Sequence, residues 1–461
     1  MTISRNRLPL SVKIGFGFCD LGGNLFFTVM GFYLLYFLTD TVGLEPSLAG
    51  TALLIGKIWD AVTDPVVGML SDRTRTPWGR RKPWIVAGAV LLFGGMLLMF
   101  RVPSFRTQRA LFLWAAGAYC FLNTAYTFVN IPYGALTPEL TTDYHERTVL
   151  NGYRQFFAIC GTFLGAGIVL PLVGAFPTPE EGWFQAALVL GGIMGLSALV
   201  TAGMVPERSS KKGVLNQRLP SAAESGDGFL AQTLEVLKQR TFLLVLIPWT
   251  LHISGVTLIQ SSLVYYFEYI YRYKAGFQIA LMILLVSALL CIPLWIRISR
   301  RIGKREVYNL GMSIFAATVL VFFFLGHRSG ITTAYLLMVP AGIGFSVQYA
   351  MPFAILPDVV EWDRAERGKR REGIYYGLWT FASKTGQALA AAAAGWILSL
   401  FRYVPLAPVQ SPSALLGIRL LAGVIPAFLF LLGARIHRRF PIDREAYRKI
   451  EEKIQGEGGS S

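Results

Sequence analysis

Charge is scarce in this chain. Asp, Glu, Lys and Arg make up 15% of its 461 residues, against about a quarter in soluble domains. A water-soluble protein of this length could not clothe its surface with so few. Hydrophobic residues reach 54%, which excludes intrinsic disorder. Cysteine is nearly missing as well. Cys19, Cys120, Cys160 and Cys291 are the only four, too few to staple a chain this long. They sit singly in apolar runs without metal-ligand spacing and read as small buried hydrophobes. The four histidines, His145, His252, His327 and His437, are scattered, and none pairs with Ser or Cys in a nucleophilic arrangement. There is no P-loop and no HExxH motif. An ATP-driven pump or a hydrolase therefore finds no support, and the chain does not read as an enzyme. No cleavable signal peptide is expected, because the first long apolar run contains Asp20 and lacks a small-residue cleavage site.

What is present is apolar length. Twelve runs are long enough to cross a hydrocarbon core of roughly 30 Å. They lie near 16–40, 48–71, 83–100, 110–137, 149–173, 183–205, 241–270, 276–297, 307–326, 331–357, 373–400 and 414–436. They are too long and too continuously apolar for barrel strands, so each is expected to be a helix. The net charge of +16 then has a membrane explanation before any nucleic-acid one: basic cytoplasmic loops facing anionic lipid. The loop after the second run carries Arg73, Arg75, Arg80, Arg81 and Lys82. The loop after the eighth carries Arg297, Arg300, Arg301, Lys304 and Arg305, and the loop after the tenth carries Arg364, Arg367, Lys369, Arg370 and Arg371. The loops 41–47 and 174–182 carry no Lys or Arg. This asymmetry places both termini in the cytoplasm; the third loop, with Arg101, Arg106 and Arg109, dissents.

The chain divides in half. We expect a six-helix bundle over 1–206, a connector over 207–240, a second six-helix bundle over 241–437 and a cytoplasmic tail over 438–461. The connector ends in an amphipathic stretch with Phe229, Leu230, Leu234 and Leu237 on one side. The tail from Asp443 reads as a surface helix with Ala446, Tyr447, Ile450 and Ile454 as its apolar stripe. Gly79-Arg80-Arg81-Lys82 after the second run is echoed by Gly303-Lys304-Arg305 after the eighth. Paired halves with a site at their interface are how many secondary transporters are built.

Ionisable residues inside spans cost about 2.5–3.5 kcal/mol each on insertion scales, so they mark function. Asp60 and Asp64 stand one helical turn apart and project two carboxylates from one face. A cation between them removes their repulsion. Thr63 can add an oxygen, and Pro65 frees a carbonyl near Ala61. That donor set suits Na⁺ or a shared proton. Asp20 and Asn24 share a face of the first run. Asn123, Thr127 and Asn130 form a polar stripe on the fourth, beside Tyr126. Arg154 in the fifth run can pair with Asp20 or bind substrate hydroxyls with its fork of donors. Lys384 is the one basic residue of the eleventh run, and its natural partner is the Asp60/Asp64 pair. The three together leave a net charge that one monovalent cation neutralises. Glu268 is expected to pair with Arg272.

Ile58-Trp59-Asp60-Ala61-Val62-Thr63-Asp64-Pro65-Val66-Val67-Gly68 and Trp78-Gly79-Arg80-Arg81-Lys82-Pro83-Trp84 resemble motifs of the glycoside–pentoside–hexuronide:cation symporters of the major facilitator superfamily. Asn130-Ile131-Pro132-Tyr133-Gly134, Leu356-Pro357-Asp358 and Gly368-Lys369-Arg370-Arg371-Glu372-Gly373 support this, and together they cover most of the chain. The resemblance implies an all-α integral membrane protein with twelve transmembrane helices in two six-helix halves, working by alternating access. It implies coupling-cation ligands at Asp60, Asp64, Thr63 and Thr127, with Na⁺ or H⁺ as coupling ion and no other cofactor. It also implies substrate contacts at Asp20, Asn24, Asn130, Arg154, Trp379 and Lys384. Asn130 and Gly134 depart from the melibiose-carrier branch, which has Asp and Trp there. That disfavours a melibiose-like galactoside without excluding a sugar. Animal lysophosphatidylcholine carriers share the helix-two acids. The expected function is symport of a sugar or glycoside, with a lysophospholipid as the alternative. The expected setting is the bacterial inner membrane, as a multi-pass monomer with no nucleic-acid partner.

Overall fold

The computed structural model describes residues 8–105, 107–141, 143–207, 229–367 and 371–442. Connector residues 208–228, the motif residues Gly368, Lys369 and Arg370, and the tail helix expected from Asp443 lie outside the described residues. Apart from an isolated bridge between Thr76 and Gly79, the regular structure described is helical. The helices are α1 (Leu10–Asp40), α2 (Pro46–Arg73), α3 (Lys82–Met99), α4 (Gln108–Leu140), α5 (Tyr144–Gly174), α6 (Pro179–Met204), the short α7 (Phe229–Leu237) and α8 (Arg240–Tyr265), which continues into a π-turn at Tyr266–Ile270. They continue with α9 (Gly276–Ile302), α10 (Lys304–Leu325), α11 (Ile331–Arg367), α12 (Glu372–Leu400), α13 (Pro412–Ala422) and α14 (Val424–His437).

Each of the twelve apolar runs becomes a long helix, the last one broken at Gly423 into α13 and α14. Among the described residues, nine spans are long and apolar enough by composition alone to cross a membrane. The three that fall short are α2, α4 and α12. Those are the helices that carry Asp60 and Asp64, the Asn123–Thr127–Asn130 stripe, and Lys384. Polar side chains that weaken the hydropathy signal are what a solute pathway needs.

The chain forms two compact units: Met1–Gly213 with Ala391–Leu415, and Val214–Ala390 with Leu416–Ser461. In the first, α1 packs on α5 and α6, α2 on α4, and α3 on α4 and α6. Helix α5 crosses α1 at Gly161, where a Cβ would lie 2.1 Å from the Leu21 carbonyl oxygen. Phe37, Phe100 and Trp183 fill one end of the bundle, with Phe100 and Trp183 stacked at 5.5 Å. Ala391–Leu415 joins this unit for local reasons. The Tyr403 hydroxyl donates to Asp40 at 2.6 Å, and the Trp396 indole donates to Thr51 at 3.1 Å. A Cβ at Gly395 would lie 2.2 Å from the Pro46 carbonyl oxygen, so a glycine is needed there for α12 to approach α2. At the start of α3, the Glu207 carboxylate accepts backbone N–H bonds from Arg80, Arg81 and Lys82. This satisfies donors that a helix N-terminus leaves open and sets a negative charge at its positive end. Arg81, itself buried, reaches Ser71 at 2.8 Å and pairs with Asp72 and Glu139.

In the second unit α8 and α10 pack on α14, and α9 and α10 pack on α11. Phe315 and Phe430 stack at 4.8 Å in its core. Lys304 at the start of α10 binds both carboxylate oxygens of Asp358, at 2.8 and 2.7 Å. Glu268 makes its ion pair with Lys274, at 3.1 Å, where the sequence pointed to Arg272. The π-turn and the left-handed backbone at Arg272 (φ 51°) break the i,i+4 geometry on which that expectation rested.

Helix α7 is held by charge. Glu235 pairs with Arg371 at 2.8 Å and with Arg367 at 3.2 Å, and the Arg371 side chain is 2% exposed. An ion pair with one partly exposed partner contributes up to about 1 kcal/mol. Arg371→Gln should therefore loosen α7. Trypsin cleavage after Lys238 should accelerate up to about fivefold while cleavage elsewhere keeps its rate. Unchanged cleavage would mean that the apolar face alone holds the helix.

Candidate functional site

The first unit brings together two adjoining polar groups. One is built on α2 and α4. Asp60 is 6% exposed and Asp64 is partly buried one turn later. The Thr127 hydroxyl from α4 lies 3.2 Å from Asp60 Oδ1 and 3.0 Å from Asp64 Oδ1. A hydroxyl has one proton, so it serves one of these acceptors at a time. One oxygen of each carboxylate thus meets the Thr127 hydroxyl. The Thr63 hydroxyl donates to its own helix, at the Asp60 carbonyl, 3.2 Å away. Pro65 stands within α2 and supplies no N–H to the Ala61 carbonyl. Asn123 is turned back onto the Tyr119 carbonyl at 2.8 Å. The Lys57 ammonium lies 5.7 Å from the centre of the Phe27 ring.

The second group joins α1, α4 and α5. The Arg154 guanidinium engages both oxygens of Asp20, Nε at 2.7 Å and Nη2 at 3.3 Å. The Tyr133 hydroxyl donates to the same carboxylate. Arg154 also lies 5.0 Å from the Tyr133 ring centre. Asn24 donates to the Asp20 backbone carbonyl at 2.9 Å, which holds its amide along α1. Asn130 is partly buried, and a Cβ at Gly134 would meet no atom within 4 Å, so the space beside it is open.

Tyr126 stands one residue before Thr127 on α4, and its ring stacks on Phe26 at 4.5 Å. Residue spacing placed Tyr126 beside the polar stripe but gave it no role. Tyr133 was passed over, though it stands one helical turn after Asn130 in a motif already singled out.

The second unit carries Trp379 and Lys384. Trp379 is 5% exposed and stacks on Trp249 with ring centres 5.0 Å apart. Its face is therefore covered by another indole. Lys384 is partly exposed on α12. Among the described residues no three His, Cys, Asp or Glu side chains gather as a metal site. Two carboxylates and a hydroxyl form a small, hard, oxygen-only set, and it suits a monovalent cation carried as cargo better than a resident transition metal.

The family described as "MFS/sugar transport protein" matches residues 15–444. The putative glycoside/cation symporter YagG of Escherichia coli is 28% identical, over 92% of this chain and 90% of its own. The sodium-dependent lysophosphatidylcholine symporter 1 of Gallus gallus is 26% identical, over 98% of this chain and 90% of its own. A bacterial homologue of the iron transporter ferroportin, solved in an inward-facing state, superposes with a TM-score of 0.67 at 14% identity, over 93% of this chain and 97% of its own, a likeness of fold alone. The chain is a multi-pass membrane protein of the major facilitator superfamily, and within it belongs to the MFS/sugar transport protein family.

Proposed function

We propose that the chain is a cation-coupled symporter of a sugar or glycoside, working by alternating access, with Na⁺ or H⁺ as the coupling ion. The observation that carries this reading is the Thr127 hydroxyl set 3.2 and 3.0 Å from the Asp60 and Asp64 carboxylates. Two carboxylates around one hydroxyl form a hard, oxygen-only donor set, which suits a monovalent cation. Thr63 and the Ala61 carbonyl complete the oxygen set. Asp20, Asn24, Asn130, Arg154, Trp379 and Lys384 serve the substrate. Cation binding favours substrate binding, and linkage makes the effect reciprocal. A tenfold Na⁺ gradient and 100 mV supply together about 3.7 kcal/mol per ion, enough for roughly 500-fold accumulation. Lys and Arg clustered where α2 meets α3 and where α9 meets α10 support a bacterial inner-membrane protein with both termini in the cytoplasm, one that works as a monomer without nucleic acid and catalyses no reaction.

A lysophospholipid is the second reading. It is favoured by the likeness to the Gallus gallus symporter and by the open space at Gly134. Thermal stabilisation of the purified protein decides between them. The ligands are melibiose, pentosides, hexuronides and lysophosphatidylcholine, each in NaCl and in choline chloride. A saturating ligand should add about 2.7 kcal/mol at a hundred times its Kd. A sugar that stabilises only with Na⁺, and not in Asp60→Asn, supports the glycoside symporter. Stabilisation by lysophosphatidylcholine alone moves the second reading to first place. An Na⁺ response that survives Asp60→Asn removes the cation site from α2.

A further inference from the structure

Within the second unit, α12 is gripped by one side chain at two points. The Trp249 indole on α8 stacks on Trp379 at 5.0 Å with planes only 9° apart, and its Nε1–H donates to Ser383 Oγ at 2.5 Å. Trp379 and Ser383 are one turn apart on the same face of α12, and Ser383 itself bonds back to the Trp379 carbonyl at 2.7 Å. The grip is therefore on the rotation of the helix as well as on its distance. Trp249 is held from behind. His252, fully buried, lies 6.3 Å away between ring centres, and its Nδ1 meets the Tyr308 hydroxyl at 3.3 Å. Phe353 of α11 closes the indole edge-on at 6.0 Å. One turn further along, α12 runs close under α8, where a Cβ at Gly386 would lie 2.8 Å from Ser254 Oγ.

Lys384 is the residue after Ser383. Its backbone direction is set by whatever fixes Ser383, and a long flexible ammonium gains most from such fixing, because rotamer entropy is its main cost. We propose that Trp249 is a positioning residue for Lys384. The indole is both stacking plate and hydrogen-bond donor, and it holds the Lys384 stem at one angle about the α12 axis. The proposal rests on the reading of Lys384 as a transport residue. Its geometric part stands without that reading.

The test separates the two. In a full-length protein with the four native cysteines replaced, Lys384→Cys is alkylated with N-ethylmaleimide and the rate followed by mass. Trp249→Phe keeps a stacking ring and removes the N–H; Ser383→Ala removes the acceptor. Each should change the Lys384→Cys alkylation rate by about three- to tenfold, the worth of one hydrogen bond. The pair combined should do no more than either alone, since both delete the same bond. Ser383→Thr, which keeps a hydroxyl, should restore the parent rate. A general loosening of the fold would lower the melting midpoint without that rescue. Unchanged rates, or effects of Trp249→Phe and Ser383→Ala that multiply, overturn the proposal. If Trp249→Phe fails to fold, an unchanged rate in Ser383→Ala alone still overturns it. With Lys384 intact, Na⁺-dependent stabilisation in NaCl against choline chloride is read in the same backgrounds. If the native protein shows none, the symporter reading fails and the clamp does not. If the alkylation shift is absent while the Na⁺ response is present, only the clamp fails.

Discussion

Gly161→Ala should lower the melting midpoint by about 2–6 °C, a large effect for one methyl group. The added Cβ would stand 2.1 Å from the Leu21 carbonyl oxygen and 2.9 Å from its carbon. Both are backbone atoms of α1, so no side chain can swing aside. The helices must part, and overpacking of that kind costs about 1–3 kcal/mol and occasionally more. The position makes the loss functional as well. Leu21 follows Asp20 on α1, and Gly161 lies two turns after Arg154 on α5, so this crossing sets the span over which Arg154 reaches both Asp20 oxygens. Gly192→Ala on α6 is the control. Its Cβ would meet nothing within 4 Å, and alanine favours helix by up to about 1 kcal/mol. Equal midpoints for the two variants would mean that α1 and α5 tolerate separation.

The second large effect is expected at the Asp20–Arg154 pair. Asp20 is 17% exposed and Arg154 31%, so neither charge is well hydrated alone. Removing one partner of a buried pair costs about 3–5 kcal/mol, chiefly because the other is stranded. Partial exposure of Arg154 brings the figure for Asp20→Asn nearer about 2 kcal/mol. Arg154→Gln leaves the carboxylate with the Tyr133 hydroxyl as its remaining named donor and should cost a similar amount. Removing both charges strands neither. The double variant Asp20→Asn/Arg154→Gln should therefore be more stable than the sum of the singles requires, with a coupling of about 1–3 kcal/mol. It should still fail to accumulate solute if the pair binds substrate as proposed. Strict additivity in a thermal double-mutant cycle would show that the pair is not coupled in the folded protein.

The number and place of the helices were legible because lipid leaves the backbone no alternative to helix. The one-turn spacing of Asp60 and Asp64 was legible for the same reason, since helix once assumed dictates which residues share a face. That Arg154 would take Asp20 rested on chemistry that demands a partner for a buried charge, whereas Thr127 was tied to the two acids only by the family resemblance. Contacts with no such demand stayed hidden. Nothing in the sequence marks Trp249 as the partner of Ser383, because a tryptophan in an apolar run is ordinary. The break at Gly423 precedes Pro426, which supplies no N–H to the Ala422 carbonyl, but a proline inside an apolar run does not by itself say whether the helix bends or stops. Ala391–Leu415 joins the first unit through Tyr403 and Asp40, residues far apart in the chain. The Glu268–Lys274 pair depended on a π-turn that shifts register by one residue, and side-chain spacing cannot foresee that.

The Thr127 hydroxyl between its two acceptors has a further consequence. Its proton has two nearly equivalent places to point, and turning about a single bond exchanges them. That two-fold choice is worth about 0.4 kcal/mol of orientational entropy, and a ligand that fixes the hydroxyl removes it. The loss is the same for every ion that takes an oxygen lone pair from Thr127. It therefore lowers the affinity for all of them equally and cannot help to tell Na⁺ from Li⁺. At the proposed cation site, discrimination between those ions would then fall to how far the two carboxylates can draw together, which the α2 backbone around Pro65 sets.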